Sequence, residues 1–122
     1  MEIKTAGKTD GPTAKGMKIS TNERYDIYKL ALNTFGAGPQ MIVALEELSE
    51  AQKEICKALR GKYNPEHLAE ELADAFIMLE QVMKMFSLDN EVEAVMVEKI
   101  ERLKNRIKNA SSKCDKTKEK RI

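Results

Sequence analysis

PQMIVALEELSEAQKEICKALRGKYNPEHLAEELADAFIMLEQVMKMF, residues 39–86, decides the fold. Its apolar residues recur every three to four positions on either side of a short polar break, which is the signature of two amphipathic helices joined by a tight connection. Pro39 suits a first helical position, and Gly61 supplies the stop near Arg60. Asn64 followed by Pro65 opens the second of the pair, which runs to about Phe86. Working outward, Ser20 and Glu23 form a capping-box pattern for a helix over about 21–35, closed by Gly36. Ser87 or Asp89 opens a last helix whose Val92, Val95, Met96, Ile100, Leu103 and Ile107 make a stripe reaching about Asn109. No strand pattern appears. The expected fold is all-α, a bundle of about four helices around an antiparallel central hairpin, completed by dimerisation.

The flanks carry little chemistry. Residues 1–19 hold Gly, Lys and Thr without a sustained apolar period and read as a flexible arm; residues 110–122 read as a basic flexible tail, leaving 20–109 as the domain. The net charge of +1 divides into +2 over residues 1–21, −4 over 22–109 and +3 over 110–122. Such a body is ill suited to nucleic acid, and the tails lack the interleaved aromatics that stack on bases. Nothing approaches a bilayer-spanning apolar run, and MEIKTAGKTDGPTAKG lacks a secretory signal's apolar segment, so a cytoplasmic protein without membrane contact is expected. Cys56 and Cys114, with a single histidine, make neither a zinc site nor a disulfide framework.

The core faces are expected along Met41, Ala44, Leu45, Leu48, Ala51, Ile55, Ala58 and Leu59 in one hairpin helix, and Leu68, Leu72, Ala75, Phe76, Leu79, Val82, Met83 and Phe86 in the other. Ile77, Met78 and Met85 fall outside the second stripe, as surface for a second subunit to cover. Carboxylates intrude on both faces. At 100° per residue, Glu47 projects between Val43 and Ala58, and Glu71 between Met78 and Val82, with Glu50 and Asp74 one turn further on. Taken alone, Glu47, Glu50 and Glu54 also read as a solvated flank pairing with Lys53 and Lys57. Register favours the other reading. In an antiparallel hairpin opposed residues keep a constant index sum, and Glu47 with Asp74 and Glu50 with Glu71 both total 121. Four facing carboxylates suit Mg²⁺, or Mn²⁺ in its place, with phosphates completing the shell. A ferritin-like di-iron site is excluded, because it wants Glu-x-x-His and the residue three before His67 is Asn64.

Glu46-Glu47-Leu48-Ser49-Glu50, followed by Glu70-Glu71-Leu72-Ala73-Asp74, resembles the Glu-x-x-Glu … Glu-x-x-Asp signature of the all-α nucleotide pyrophosphohydrolases, the MazG-like superfamily. The similarity spans about residues 33–107, including Phe35-Gly36, Gln40 and the phage- and Firmicute-type run His67 to Gln81. The resemblance implies Mg²⁺-dependent cleavage of a nucleoside triphosphate to a monophosphate and pyrophosphate. It places metal ligands at Glu47, Glu50, Glu71 and Asp74, with Glu50 the candidate proton acceptor among the four. It implies substrate contacts at Gln40, Lys53, Lys99 and Arg102, with Lys104 or Arg106 as substitutes in the last helix. The base pocket of some members would draw here on Tyr25, Tyr28 and Phe35. A homodimer or dimer of dimers is expected. The rivals are a non-enzymatic helical interaction protein, or a phosphohydrolase of the phosphoribosyl-ATP type.

Overall fold

A computed structural model describes residues 16–120 of the chain, and within them every regular element is a helix. In order these are α1 (Thr21–Phe35), α2 (Ala37–Leu59), α3 (Pro65–Met85) and α4 (Asp89–Lys120). The all-α, four-helix expectation holds. Most of the anticipated 1–19 arm lies outside the described residues. Among those described, no helix is long and apolar enough to cross a membrane.

Local chemistry sets the boundaries. Ser20 Oγ accepts the Glu23 N–H at 3.1 Å and opens α1. Gly36 stands at φ 91°, ψ 151°, a conformation that a side chain would strain, and serves both neighbours: its N–H closes α1 on the Leu32 carbonyl and its carbonyl receives the Gln40 N–H. α2 therefore starts at Ala37, two residues before Pro39. It ends in a Schellman turn, with Lys62 N–H on the Lys57 carbonyl, Gly61 N–H on the Ala58 carbonyl, and Gly61 at φ 80°. Asn64 Oδ1 takes the His67 N–H at 3.1 Å, and Pro65 occupies the first turn of α3. The expected stop of α4 near Asn109 is corrected: the helix continues to Lys120, because Ala110-Ser111-Ser112-Lys113 contains no glycine or proline to break it.

The described residues form two compact units, divided between Phe86 and Ser87. In the first, α2 and α3 pack most extensively and α1 lies against both. The hairpin is antiparallel: Gln40 Nε2 donates to Gln81 Oε1 at 2.8 Å, a pair whose numbers also total 121. The rotation of the helices differs from the expected stripes. The buried faces are Gln40, Ala44, Glu47, Ala51 and Glu54 on α2, and Ala75, Met78 and Gln81 on α3. Gln40 and Gln81 are 3% and 2% exposed, whereas Leu45 and Phe76, assigned to the core by size, are 69% and 65% exposed. Met78, expected at the surface, is fully buried. Small alanines let the backbones approach, so the seam takes the polar face of each helix and leaves the large apolar side chains outward.

A latch fixes α1 on α3. Arg24 donates through Nε and Nη2 to Glu80 Oε2 at 3.2 and 3.1 Å, and Tyr28 Oη donates to Glu80 Oε1 at 3.3 Å. The ammonium of Lys84 sits 3.7 Å from the Tyr25 ring centre. Because the Arg24–Glu80 pair is partly solvated, it adds little to stability and chiefly orients α1. Burial, followed by the nearby Glu80 charge, pushes the Tyr28 phenol up to about 12 from 10.0. The unfolded phenol ionises first. The stability held by neutral Tyr28 is thus complete below pH 10 and lost as pH climbs through 12. Denaturant unfolding of the parent should weaken across pH 10–12 more steeply than that of Tyr28→Phe; parallel curves would remove Tyr28 from the latch.

Candidate metal centre

The seam that buries Gln40 and Gln81 also gathers acid. Glu47 projects from the middle of α2, and Glu71 and Asp74 project from successive turns of α3. One carboxylate oxygen from each lies within 4.8 Å of the other two, and these three residues form a group able to hold a metal ion. Glu47 is only 4% exposed; Glu71 and Asp74 are half-buried. At atom level, Glu47 Oε2, Glu71 Oε2 and Asp74 Oδ2 are shut off from solvent and receive no hydrogen bond.

The packing explains the convergence. Ala44 and Ala51 are the buried residues on either side of Glu47 along α2, and Ala75 adjoins Asp74 on α3, so nothing bulky holds the helices apart there. Like charges less than 5 Å apart cost on the order of 1 kcal/mol per pair in water and several-fold more in a half-buried seam. A divalent cation turns that repulsion into attraction. An all-oxygen donor set of this kind is one that hard divalent cations prefer and that zinc or copper would not select.

The other anticipated site residues are distributed unevenly. Glu50 lies one turn beyond Glu47, half-buried and outside the close trio. Lys53 is exposed further along α2, on a surface shared with Ser49, Gln52, Cys56, Lys57 and Arg60. Gln40 is buried, with its amide donated to Gln81. Lys99 and Arg102, like Lys104 and Arg106, are exposed on α4 in the second unit. Of the aromatic residues, Tyr28 is committed to Glu80 and Tyr25 is faced by Lys84, while Phe35 is exposed. His67 is exposed, and Cys56 and Cys114 are exposed free thiols.

Sequence reasoning missed the burial of three polar residues. Glu54 is buried and pairs with Lys57 Nζ at 3.0 Å, the helical pairing expected for a solvated flank, but at the edge of the seam. Gln81 and Gln40 were legible only through register: once Glu47 and Asp74 are set opposite each other, the same index total matches the two glutamines. Comparison with protein-family models, curated proteins and solved structures yields no match for this chain.

Crowded carboxylates make a two-sided prediction. Replacing Asp74 by Asn removes one like charge, so without divalent ions the variant should melt a few degrees above the parent. Millimolar Mg²⁺ or Mn²⁺ should raise the parent's melting temperature by several degrees and leave Asp74→Asn unmoved. Equal Mg²⁺-dependent shifts in both proteins would detach the cluster from metal binding.

Proposed function

We propose that this chain is a Mg²⁺-dependent nucleoside triphosphate pyrophosphohydrolase of the MazG-like kind, cleaving (d)NTP to (d)NMP and pyrophosphate. The observation that carries the reading is the convergence of Glu47, Glu71 and Asp74, drawn from both helices of an antiparallel hairpin. It joins one residue of the Glu47-x-x-Glu50 motif to both named residues of the Glu71-x-x-Asp74 motif.

A polyphosphate carries the same charge sign as this cluster, so the carboxylates alone would repel it. Glu47, Glu71 and Asp74 would hold the cation. Bound there, Mg²⁺ supplies Lewis-acid polarisation of a phosphoryl group and neutralises its developing charge. Glu50, one turn along α2, is assigned to accept a proton from the attacking water. Water adds to the α-phosphorus, the bond to the bridging oxygen breaks, and pyrophosphate leaves with that oxygen. Lys53 is the cation assigned to the phosphates, and Gln40 acts from within the seam by fixing the helix that carries Glu47.

The reading includes self-association as a homodimer or dimer of dimers, in a cytoplasmic setting. Its support is the inverted hairpin: Ile42, Leu45, Leu48, Ile55, Phe76 and Leu79 remain exposed, an apolar surface that a second subunit would cover.

Incubation with a panel of ribo- and deoxyribonucleoside triphosphates, plus phosphoribosyl-ATP, should release pyrophosphate from at least one of them in a Mg²⁺-dependent way. Glu50→Ala and Asp74→Ala should each lower turnover by about 100-fold or more while helical circular dichroism stays intact. Turnover confined to phosphoribosyl-ATP would reassign the substrate. Silence across the panel, with no Mg²⁺-dependent shift in melting, would favour a non-enzymatic interaction protein.

A further inference from the structure

Helix α4 carries a pattern that the metal centre does not use. Val95, Met96, Ile100, Leu103 and Ile107 are all exposed, and the first four line, with Leu88, Val92, Glu91 and Lys99, a mainly apolar groove along the helix. Its charges are sorted by half. From Asp89 to Glu101 there are five acidic residues and one lysine; from Arg102 to Cys114 there are five basic residues and no acid. On the helical wheel Glu91, Arg102, Arg106 and Lys113 border one edge of the stripe, while Glu93 and Lys104 border the other. Within the helix, Lys104 meets Glu101 only at 3.9 Å, with both side chains largely exposed, a loose pairing that another carboxylate can replace.

We infer that α4 pairs antiparallel with α4 of a second copy, stripe against stripe. This gives a specific interface to the self-association proposed above and rests on it. Charge selects both the occupant and the direction. A parallel pair would set acid beside acid and base beside base, whereas an antiparallel pair lays each acidic half against the other copy's basic half and opposes the helix dipoles. With a two-fold axis between Glu98 and Lys99, Glu91 comes opposite Arg106 of the second copy and Glu93 opposite Lys104, each pair on a shared edge of the seam. Along the stripe Met96 then stands within about 3 Å in height of Leu103 of the second copy, and Val92 within the same of Ile107. The contact is isologous: every residue on one copy is answered by its partner on the other, and the assembly closes.

The test uses the full chain with Cys56→Ser, so that a spin label goes to Cys114 alone. In the antiparallel pair the two labels stand 31 residues apart along the axis, about 45 Å at 1.5 Å per residue. Dipolar spectroscopy should return that distance. Light scattering should show Glu93→Lys weakening the dimer about tenfold, with the added Lys104→Glu change restoring it. Labels within about 15 Å would mean a parallel pair and overturn the proposal. A dimer indifferent to both substitutions would also overturn it while leaving self-association through α2 and α3 standing. A monomer would end both. None of these readouts depends on nucleotide turnover.

Discussion

The close approach of α2 and α3 along a polar seam is the constraint on which the rest of this molecule depends. Alanines at 44, 51 and 75 leave room for it, the Gln40–Gln81 hydrogen bond sets its register at one end, and the acidic trio occupies its middle. A buried amide that loses its partner incurs a desolvation cost of about 1–3 kcal/mol, so slippage by a single residue is strongly disfavoured. Polar seams of this kind are poor sources of raw stability and good sources of specificity. The register that satisfies the glutamines is also the one that opposes Glu47 to Asp74.

Inverting the hairpin has an energetic consequence. Leu, Ile and Phe side chains that would each contribute roughly 1.5–3 kcal/mol on burial stay in water, and the hydrophobic core is reduced to Tyr28, Met78 and three alanines. A small domain with so little apolar burial is marginal unless its outer faces are covered. The Arg24–Glu80–Tyr28 latch orients α1 without closing that deficit, since its ion pair is partly solvated. The proposed association would therefore be tied to folding: the apolar surface left outside by the polar seam is the surface whose burial would offset the seam's small core.

Much of the fold was legible because end signals are local. Ser20, Gly36, Gly61 and the Asn64–Pro65 pair act within one turn, and their chemistry does not depend on what packs nearby. Hairpin register was legible because an index sum survives errors of rotation. Rotation itself was not. Leu45, Leu72 and Phe76 make the stronger apolar stripes, and a reading by size turns them inward; the actual choice was made by small residues and by amides able to satisfy each other across the seam, a long-range condition that no single helix displays. The extent of α4 was missed for the opposite reason: a polar, lysine-rich stretch looks like a tail, although nothing in Ala110 to Lys113 stops a helix already under way.

The acidic trio was legible in part, and the part that failed is informative. Glu47 and Asp74 were paired by register and Glu71 by its place in the inward arc, and all three converge. Glu50 belongs to the same motif but stands apart, because residues three apart on a helix are rotated by about 300° and displaced by a full 4.5 Å along the axis. On α3 the same offset keeps Glu71 and Asp74 together, since an oxygen of each comes close to the one side chain, Glu47, that α2 supplies. One helix thus contributes two carboxylates and the other contributes one to the centre, with its second left nearby. The proposed division of labour draws on that asymmetry. A carboxylate locked among its neighbours is suited to holding a cation, whereas one a turn away and half in solvent is suited to exchanging a proton with water.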